Sequence, residues 1–209
     1  MLVSILRSFL LFVSIVVVLV AARGLASEES PLPEFGRGTV LVWKIEGTEY
    51  ENSFVARLAS FHPERFFEWE NEGAQGTVRI EERALTDARN YVTTSLFSTG
   101  KEKKTRNETT LWLSKRVFTE LKEKKKIKWN LNGVSTKLEL IEEGSVSVEI
   151  NRKAADLPAI HAVDDRNNKW SFLNDPENPL MLRYEFRNYS QSLASITTGS
   201  PDSLRWIKR

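Results

Sequence analysis

The two histidines are the residues that could most readily act as a general base, because imidazole titrates near neutral pH. A Ser-His-Asp site would need one of them beside a serine and a carboxylate, and no serine of this chain lies in a GxSxG motif. His62 falls in a predicted loop and His161 in a predicted strand, with Asp164 and Asp165 shortly after it. Paired acids at the end of a strand usually form the turn. The pattern therefore favours structural roles for these residues over a catalytic triad.

Metal and cofactor sites have equally little support in the sequence. Cysteine is absent, which excludes disulfides, thiol nucleophiles and cysteine metal sites, and there is no HExxH motif. Residues 165–169 begin like a calcium-binding loop, but Lys169 stands at the third ligand position, and the required glycine and distal glutamate are missing. No phosphate-binding glycine motif occurs either. The sequence predicts neither a metal nor a cofactor.

Any two of three neighbouring glutamates could form the pair of acids that hydrolyses a polymer. Glu68, Glu70 and Glu72 alternate along one predicted strand, and neighbours on one face of a strand lie about 7 Å apart. Acids alternating with aromatic residues are also typical of a half-exposed strand, and we expect a solvated face here. A hydrolase would require a concave site where Glu68 or Glu70 meets another acid or His161.

The segment 101–128 carries eleven Lys or Arg and four Glu, which makes it distinctly basic. It could contact an anionic surface such as lipid headgroups or a glycan phosphate, although runs of charge usually form a solvated face. No nucleic-acid partner is predicted, since no aromatic RNA-binding motif accompanies the charge. The candidate contacts with a membrane or envelope surface are Lys115, Arg116, Lys122, Lys124, Lys125 and Lys126.

The elements that would position these residues are mostly short strands. Asn132-Gly133 predicts a two-residue hairpin turn that pairs Leu131 with Val134 and places both on one face. A turn at 142–145 is expected to lead into a third strand at 146–150. Further strands are predicted at 40–45, 48–58, 66–71, 76–80, 89–98, 159–163, 169–173, 180–186 and 192–197, with turns at 164–168 and 175–179.

One amphipathic helix is predicted near 114–126. Ser114 can cap its N-terminus, and Val117, Phe118 and Leu121 give it an apolar stripe. A helix between two groups of hairpins predicts a mainly β fold, namely an antiparallel sheet, a sandwich or an incomplete barrel.

The N-terminus has the pattern of an export signal. The apolar run from Phe9 through Ala22 is shorter than the roughly 20 residues that span a bilayer, and small residues follow it. Cleavage after Ala26 would leave a single β-rich domain at 27–209 with 28 basic and 28 acidic residues. The alternative is an uncleaved segment anchoring the chain in the inner membrane. Without cysteine, the pattern favours a periplasmic or secreted bacterial protein.

These observations predict an exported, non-catalytic binding or scaffolding domain of the bacterial cell envelope. Two alternatives stay open: a carboxylate-dependent hydrolase of envelope polymers, and a module that binds anionic surfaces through residues 101–128. The identity of the ligand and the oligomeric state do not follow from the sequence.

Overall fold

The computed structural model describes residues 32–199, so the predicted export signal and its cleavage point lie outside the described residues. Thirteen strands form one sheet there, in the spatial order β6-β4-β3-β2-β1-β13-β12-β11-β10-β9-β8-β5-β7. The strands are β1 Val40–Glu46, β2 Glu51–Ser60, β3 Arg65–Asn71, β4 Ala74–Ile80, β5 Asn90–Tyr91, β6 Glu102–Thr105, β7 Glu108–Thr109, β8 Lys126–Leu131, β9 Val134–Ile150, β10 Lys153–Asp164, β11 Lys169–Leu173, β12 Met181–Phe186 and β13 Tyr189–Thr197. No helix of the described part is long and apolar enough to cross a membrane.

Most neighbouring strands are antiparallel, and part of the sheet closes on itself. The far end of β9 also pairs with β13 in parallel, where Glu149 lies opposite Ser195 and Ile150 opposite Ile196. Strands β9 to β13 therefore form a five-stranded ring, while the other strands extend the sheet from it. The predicted fold class, a β-rich sheet or incomplete barrel, is confirmed.

The hairpin predicted at Asn132-Gly133 is confirmed in position and register. Both residues have positive φ, 53° and 78°, as a type I′ turn requires. Leu131 lies opposite Val134, with the expected pairing continuing along both strands. Val134 is exposed at the end of the hairpin, whereas Leu131 is buried.

The turn predicted at 142–145 is wrong. Strand β9 continues through it without a break and pairs with β10 from Leu138 to Ile150, with one irregularity at His161/Ala162. Gly144 serves close packing here, because a Cβ at this position would lie 2.9 Å from Nε2 of His161. A glycine in a strand can mark close approach of another group as well as a turn.

The strand predicted at 89–98 is also largely wrong, since only Asn90 and Tyr91 pair as a strand. Beyond Tyr91 the chain turns to other partners, and the N–H of Thr93 donates to the side chain of Asn132. A short helix that the pattern did not predict, α1 (Glu82–Asp87), lies just before this stretch.

The predicted amphipathic helix is confirmed as α2 (Lys115–Lys124). Oγ of Ser114 accepts from the N–H of Val117 at 3.2 Å, and the helix ends at Lys125 in a left-handed conformation. Its apolar stripe is buried in the hydrophobic core, which contains several large aromatic side chains. The fully buried tryptophans of that core are Trp43, Trp112, Trp129 and Trp170.

Candidate functional site

A cavity with aromatic walls is the strongest candidate for a binding site among the described residues. Its volume is about 300 Å³, at the lower end of the range for small-molecule sites. Strands β1 to β5, β12 and β13 contribute to it, together with residues between β5 and β8. The lining of this aromatic cavity comprises Ile45, Phe54, Trp69, Asn71, Ala74, Tyr91, Thr93, Thr94, Phe97, Thr99, Thr110, Leu111, Met181, Tyr184, Tyr189 and Gln191.

Several aromatic rings of the lining contact one another in two groups. Phe97 meets Phe54 edge-on at a centroid distance of 4.9 Å and Trp69 edge-on at 5.4 Å. Tyr184 and Tyr189 make a similar contact at 6.0 Å. Rings held in this way keep a fixed orientation and offer faces and edges to a ligand ring at little cost in conformational entropy.

Residues 92–101, which we call the covering loop, supply one wall of the cavity and are tied down at both ends. At one end, Oδ1 of Asn132 accepts from the N–H of Thr93 at 2.9 Å. At the other, the N–H of Gly100 donates to the carbonyl of Gln75 at 2.8 Å. The loop packs so closely on β4 that a Cβ at Gly76 would lie 2.8 Å from the carbonyl oxygen of Ser98. The wall is therefore well supported.

The backbone at Leu111 adds a second supported feature to the wall. Its φ of 59° is unusual for a residue with a bulky side chain. The N–H of Trp112 donates to the carbonyl of Thr110 across it at 2.7 Å, which closes a one-residue turn. The N–H of Met181 then donates to the carbonyl of Leu111 at 2.6 Å. Such conformations persist only where the surroundings enforce them, and they cluster at binding sites.

The described lining contains no Asp, Glu, Lys, Arg or His. Its ionisable groups are tyrosines, and burial raises the pKa of Tyr184 and of Tyr189 to about 12. Burial also raises the pKa of Tyr91. All three phenols are therefore neutral at physiological pH. The cavity offers hydrogen bonds and aromatic surface but no charge and no general base.

Polar groups are spaced along the lining rather than concentrated. The phenol of Tyr189 and Oε1 of Gln191 form a hydrogen bond of 3.2 Å, which leaves the amide nitrogen of Gln191 as a donor. Asn71 donates from Nδ2 to the carbonyl of Ser53 at 3.1 Å, which leaves its Oδ1 as an acceptor. The site can thus orient a mainly apolar molecule through a few hydrogen bonds.

The candidate catalytic residues lie elsewhere. His161 lines a second cavity of about 730 Å³, which has contributions from all five strands of the ring. Its Nδ1 lies 2.9 Å from Oγ of Ser171. Glu142 pairs with His161 in register, but no hydrogen bond joins these two side chains. His62 is exposed in its loop.

Asp164 serves the turn after β10, as predicted. Its carboxylate accepts from the N–H groups of Arg166 and Asn168 at 2.9 and 3.0 Å and from the indole of Trp170 at 3.3 Å. No hydrogen bond joins the Asp164 carboxylate to His161 among the described residues. The predicted turn at 175–179 is also present, since the carboxylate of Asp175 accepts from the N–H of Glu177.

The solvated face predicted for the three glutamates is wrong for Glu68, which is fully buried. Glu68 lies opposite Arg57 on β2, and the guanidinium of Arg57 is 3.2 Å from the carboxylate of Glu70. A cation on the neighbouring strand makes burial of an acid tolerable. Neither Glu68 nor Glu70 shares with His161 any cavity described for this chain. Glu72 is exposed, as expected.

The basic residues predicted to contact an anionic surface are mostly ion-paired within the protein. Lys115 pairs with Glu177, Lys122 with Glu143 and Lys126 with Glu139. Both Arg116 and Lys124 pair with Glu120. Lys125 ends the helix and has no ion pair among residues 32–199. The charge of this segment is therefore largely balanced by neighbouring acids.

No pattern in the sequence predicts the aromatic cavity. Its lining comes from residues scattered between 45 and 191, and each aromatic residue, taken alone, is equally typical of a hydrophobic core. The chain matches no protein-family model, no curated protein and no solved structure. The geometry and chemistry of this cavity are therefore the best guide to the function of the protein.

Proposed function

We propose that this protein is an exported, non-catalytic binding domain of the bacterial cell envelope that holds a small uncharged molecule in the aromatic cavity. The observation that carries the proposal is a lining of aromatic and uncharged polar side chains without a single charged one. A charged ligand would lose its hydration there without gaining a partner, which is costly. A neutral molecule with an aromatic or aliphatic ring would lose little and would gain ring contacts.

The same lining supports binding rather than catalysis. Acid–base or nucleophilic chemistry needs a group whose pKa lies near the working pH or an activated nucleophile. With pKa values of about 12, Tyr184 and Tyr189 remain protonated donors. They can position a ligand but cannot remove a proton from it at neutral pH.

Export is supported by the first 26 residues, whose apolar run and small residues match a cleavable signal. Isolation from the periplasmic fraction with an N-terminus at Ser27 is the expected outcome. An intact Met1 in the membrane fraction would favour the anchored alternative and would leave the cavity proposal unchanged.

A substitution that fills the cavity tests the binding proposal. Ala74 lines the cavity and is partly buried, so Ala74→Leu places additional carbon atoms inside it. We expect binding of a neutral probe such as benzyl alcohol, followed by calorimetry, to weaken at least about tenfold. The matched control is Ala194→Leu, which introduces the same side chain at an exposed position of β13 outside the lining.

The two variants together separate loss of binding from loss of folding. Thermal unfolding of both should remain close to that of the parent, within about 1 kcal/mol. Equal binding by the parent and Ala74→Leu would contradict the assignment of the site to this cavity.

A further inference from the structure

A third cavity, of about 470 Å³, has a different chemistry from the aromatic one and shares no lining residue with it. It lies where α1, α2 and the turn at 175–179 come together. We call it the Arg65 cavity; its lining comprises His62, Pro63, Arg65, Glu82, Leu85, Thr86, Trp112, Leu113, Lys115, Pro176, Glu177 and Pro179.

Arg65 is 4% exposed and has no carboxylate bound to it among the described residues. Its guanidinium donates to two backbone carbonyls, those of Phe61 and Glu177, the second at 3.0 Å. Among residues 32–199 Nε has no acceptor, and this atom is buried in the protein rather than exposed to the cavity. A buried cation ordinarily forms an ion pair with an anion, and its N–H groups are hydrogen-bonded. Burial lowers the pKa of Arg65 to about 10, although the charges of Asp175 and Glu177 act in the opposite direction.

Aromatic rings hold the guanidinium in place. Its carbon lies 3.6 Å from the ring centroid of Phe61 and 5.9 Å from that of Trp112. Trp112 is fixed in turn, because its indole N–H donates to Oδ1 of Asn178 at 2.8 Å. Arg65 is thus presented at the cavity in a preorganised position.

The N-terminus of α2 reaches the same cavity through Leu113 and Lys115. Ser114 caps the helix and satisfies the N–H of Val117, whereas the N–H groups of the residues before it have no acceptor within the helix. The partial positive charge of a helix N-terminus favours an anion. The ammonium of Lys115 adds a full positive charge there.

We propose that the Arg65 cavity binds the oxyanion of a small molecule, a phosphate or a carboxylate, between the guanidinium of Arg65 and the first turn of α2. The planar guanidinium and the helix N–H groups suit such an oxyanion. This site goes beyond the proposed binding of a neutral ligand and can fail without affecting it.

Two glutamates of the lining would compete with the anion, and their positions show how it could enter. The carboxylate of Glu177 pairs with Lys115, and both side chains are more than half exposed. Pairs of this kind contribute little stability, so an anion can displace the carboxylate from Lys115. Glu82 is exposed on α1 and can turn to solvent.

Titration with inorganic phosphate and with acetate, at constant ionic strength against chloride, tests the proposal. Backbone amide shifts of residues 113–117 report binding. We expect saturable shifts with at least one of the two anions, and at least about tenfold weaker binding in Arg65→Gln. Lys128→Gln is the matched control, since it removes an exposed charge outside the cavity and should bind as the parent does.

Loss of the Arg65 guanidinium could also unfold the chain, so a second variant keeps it. Thr86→Phe fills the cavity from an exposed position on α1, and it should weaken binding to a similar extent. If phosphate binds more tightly than acetate, the ligand of this site carries a phosphate group. If acetate binds more tightly than phosphate, the ligand carries a carboxylate.

Three outcomes would overturn the proposal. One is an absence of saturable shifts with either anion, and another is equal binding by the parent and Thr86→Phe. The third is binding to vesicles that contain phosphatidylglycerol without binding of either free anion, because this would assign the charge to a membrane surface.

Discussion

Oδ1 of Asn132 accepts a hydrogen bond from the backbone N–H of Thr93, so the tip of the β8–β9 hairpin holds the covering loop of the aromatic cavity. Nδ2 of Asn132 also donates a hydrogen bond to Oγ1 of Thr93 at 3.1 Å. Asn132 therefore combines a turn with positive φ and an anchor for the cavity wall.

Asn132→Gly separates these two roles, because glycine accepts the positive φ but lacks the side chain. We expect a loss of about 1 kcal/mol in unfolding free energy and faster hydrogen exchange at Thr93 and Thr94. Asn132→Asp retains the acceptor and serves as the control, with exchange close to that of the parent. Unchanged exchange in Asn132→Gly would show that the anchor does not hold the loop.

Gly144 and His161 form a second coupled pair, inside the five-stranded ring. A Cβ at Gly144 would lie 2.9 Å from Nε2 of His161, whose ring is held by Ser171. Gly144→Ala should therefore destabilise the protein by about 1–3 kcal/mol, as overpacking does. In a His161→Ala background the same change should cost much less. Chemical denaturation of the parent, the two single variants and the double variant gives the coupling energy between Gly144 and His161.

Ser145→Ala is the control for that cycle, since it changes an exposed neighbour of Gly144 on the same strand. Additive effects of Gly144→Ala and His161→Ala would indicate that the ring of His161 moves away freely. Strand β9 would then have no packing reason for a glycine at this position.

Glu120 should make stability depend on pH in acid. Hydrogen bonds from Arg116 and then Arg89 lower its pKa to about 2, from the usual value of 4.5. The carboxylate is charged in the folded chain at pH values where the unfolded chain is already protonated. Its contribution, about 1 kcal/mol, is complete above pH 4.5 and is lost as the pH falls towards 2.

Glu120→Gln should accordingly reduce stability at neutral pH and converge with the parent near pH 2. Thermal unfolding across this pH range measures the difference. Glu123→Gln is the matched control, because Glu123 is exposed on the same helix and has no ion pair among residues 32–199. If the difference in stability between the parent and Glu120→Gln stays constant with pH, these hydrogen bonds do not have the proposed role.

The sequence predicted those elements whose signal is local. Asn132-Gly133 carries its own turn chemistry, and Ser114 its own cap, so the hairpin and α2 follow directly from the residue types. Alternation between buried and exposed positions likewise predicted most strands. The fold class depends on these features and was correct.

The failures concern residues whose partners are distant in sequence. Gly144 resembled a turn residue because its packing partner, His161, lies on the next strand. Glu68 resembled a solvated acid because Arg57 faces it from β2. The aromatic cavity and the Arg65 cavity assemble from remote segments. No periodicity within a single segment reports such contacts.

The preference of the aromatic cavity for an uncharged molecule is tested most directly by comparing three ligands of similar shape and different charge. Benzyl alcohol is neutral, benzoate is an anion and benzylammonium is a cation at pH 7. Titration by calorimetry, with Ala74→Leu as the blocked control, measures their affinities for the aromatic cavity. We predict that benzyl alcohol binds at least about tenfold more tightly than either ion and that Ala74→Leu abolishes this preference. Equal or tighter binding of benzoate or benzylammonium, lost in Ala74→Leu, would contradict a cavity built for an uncharged molecule.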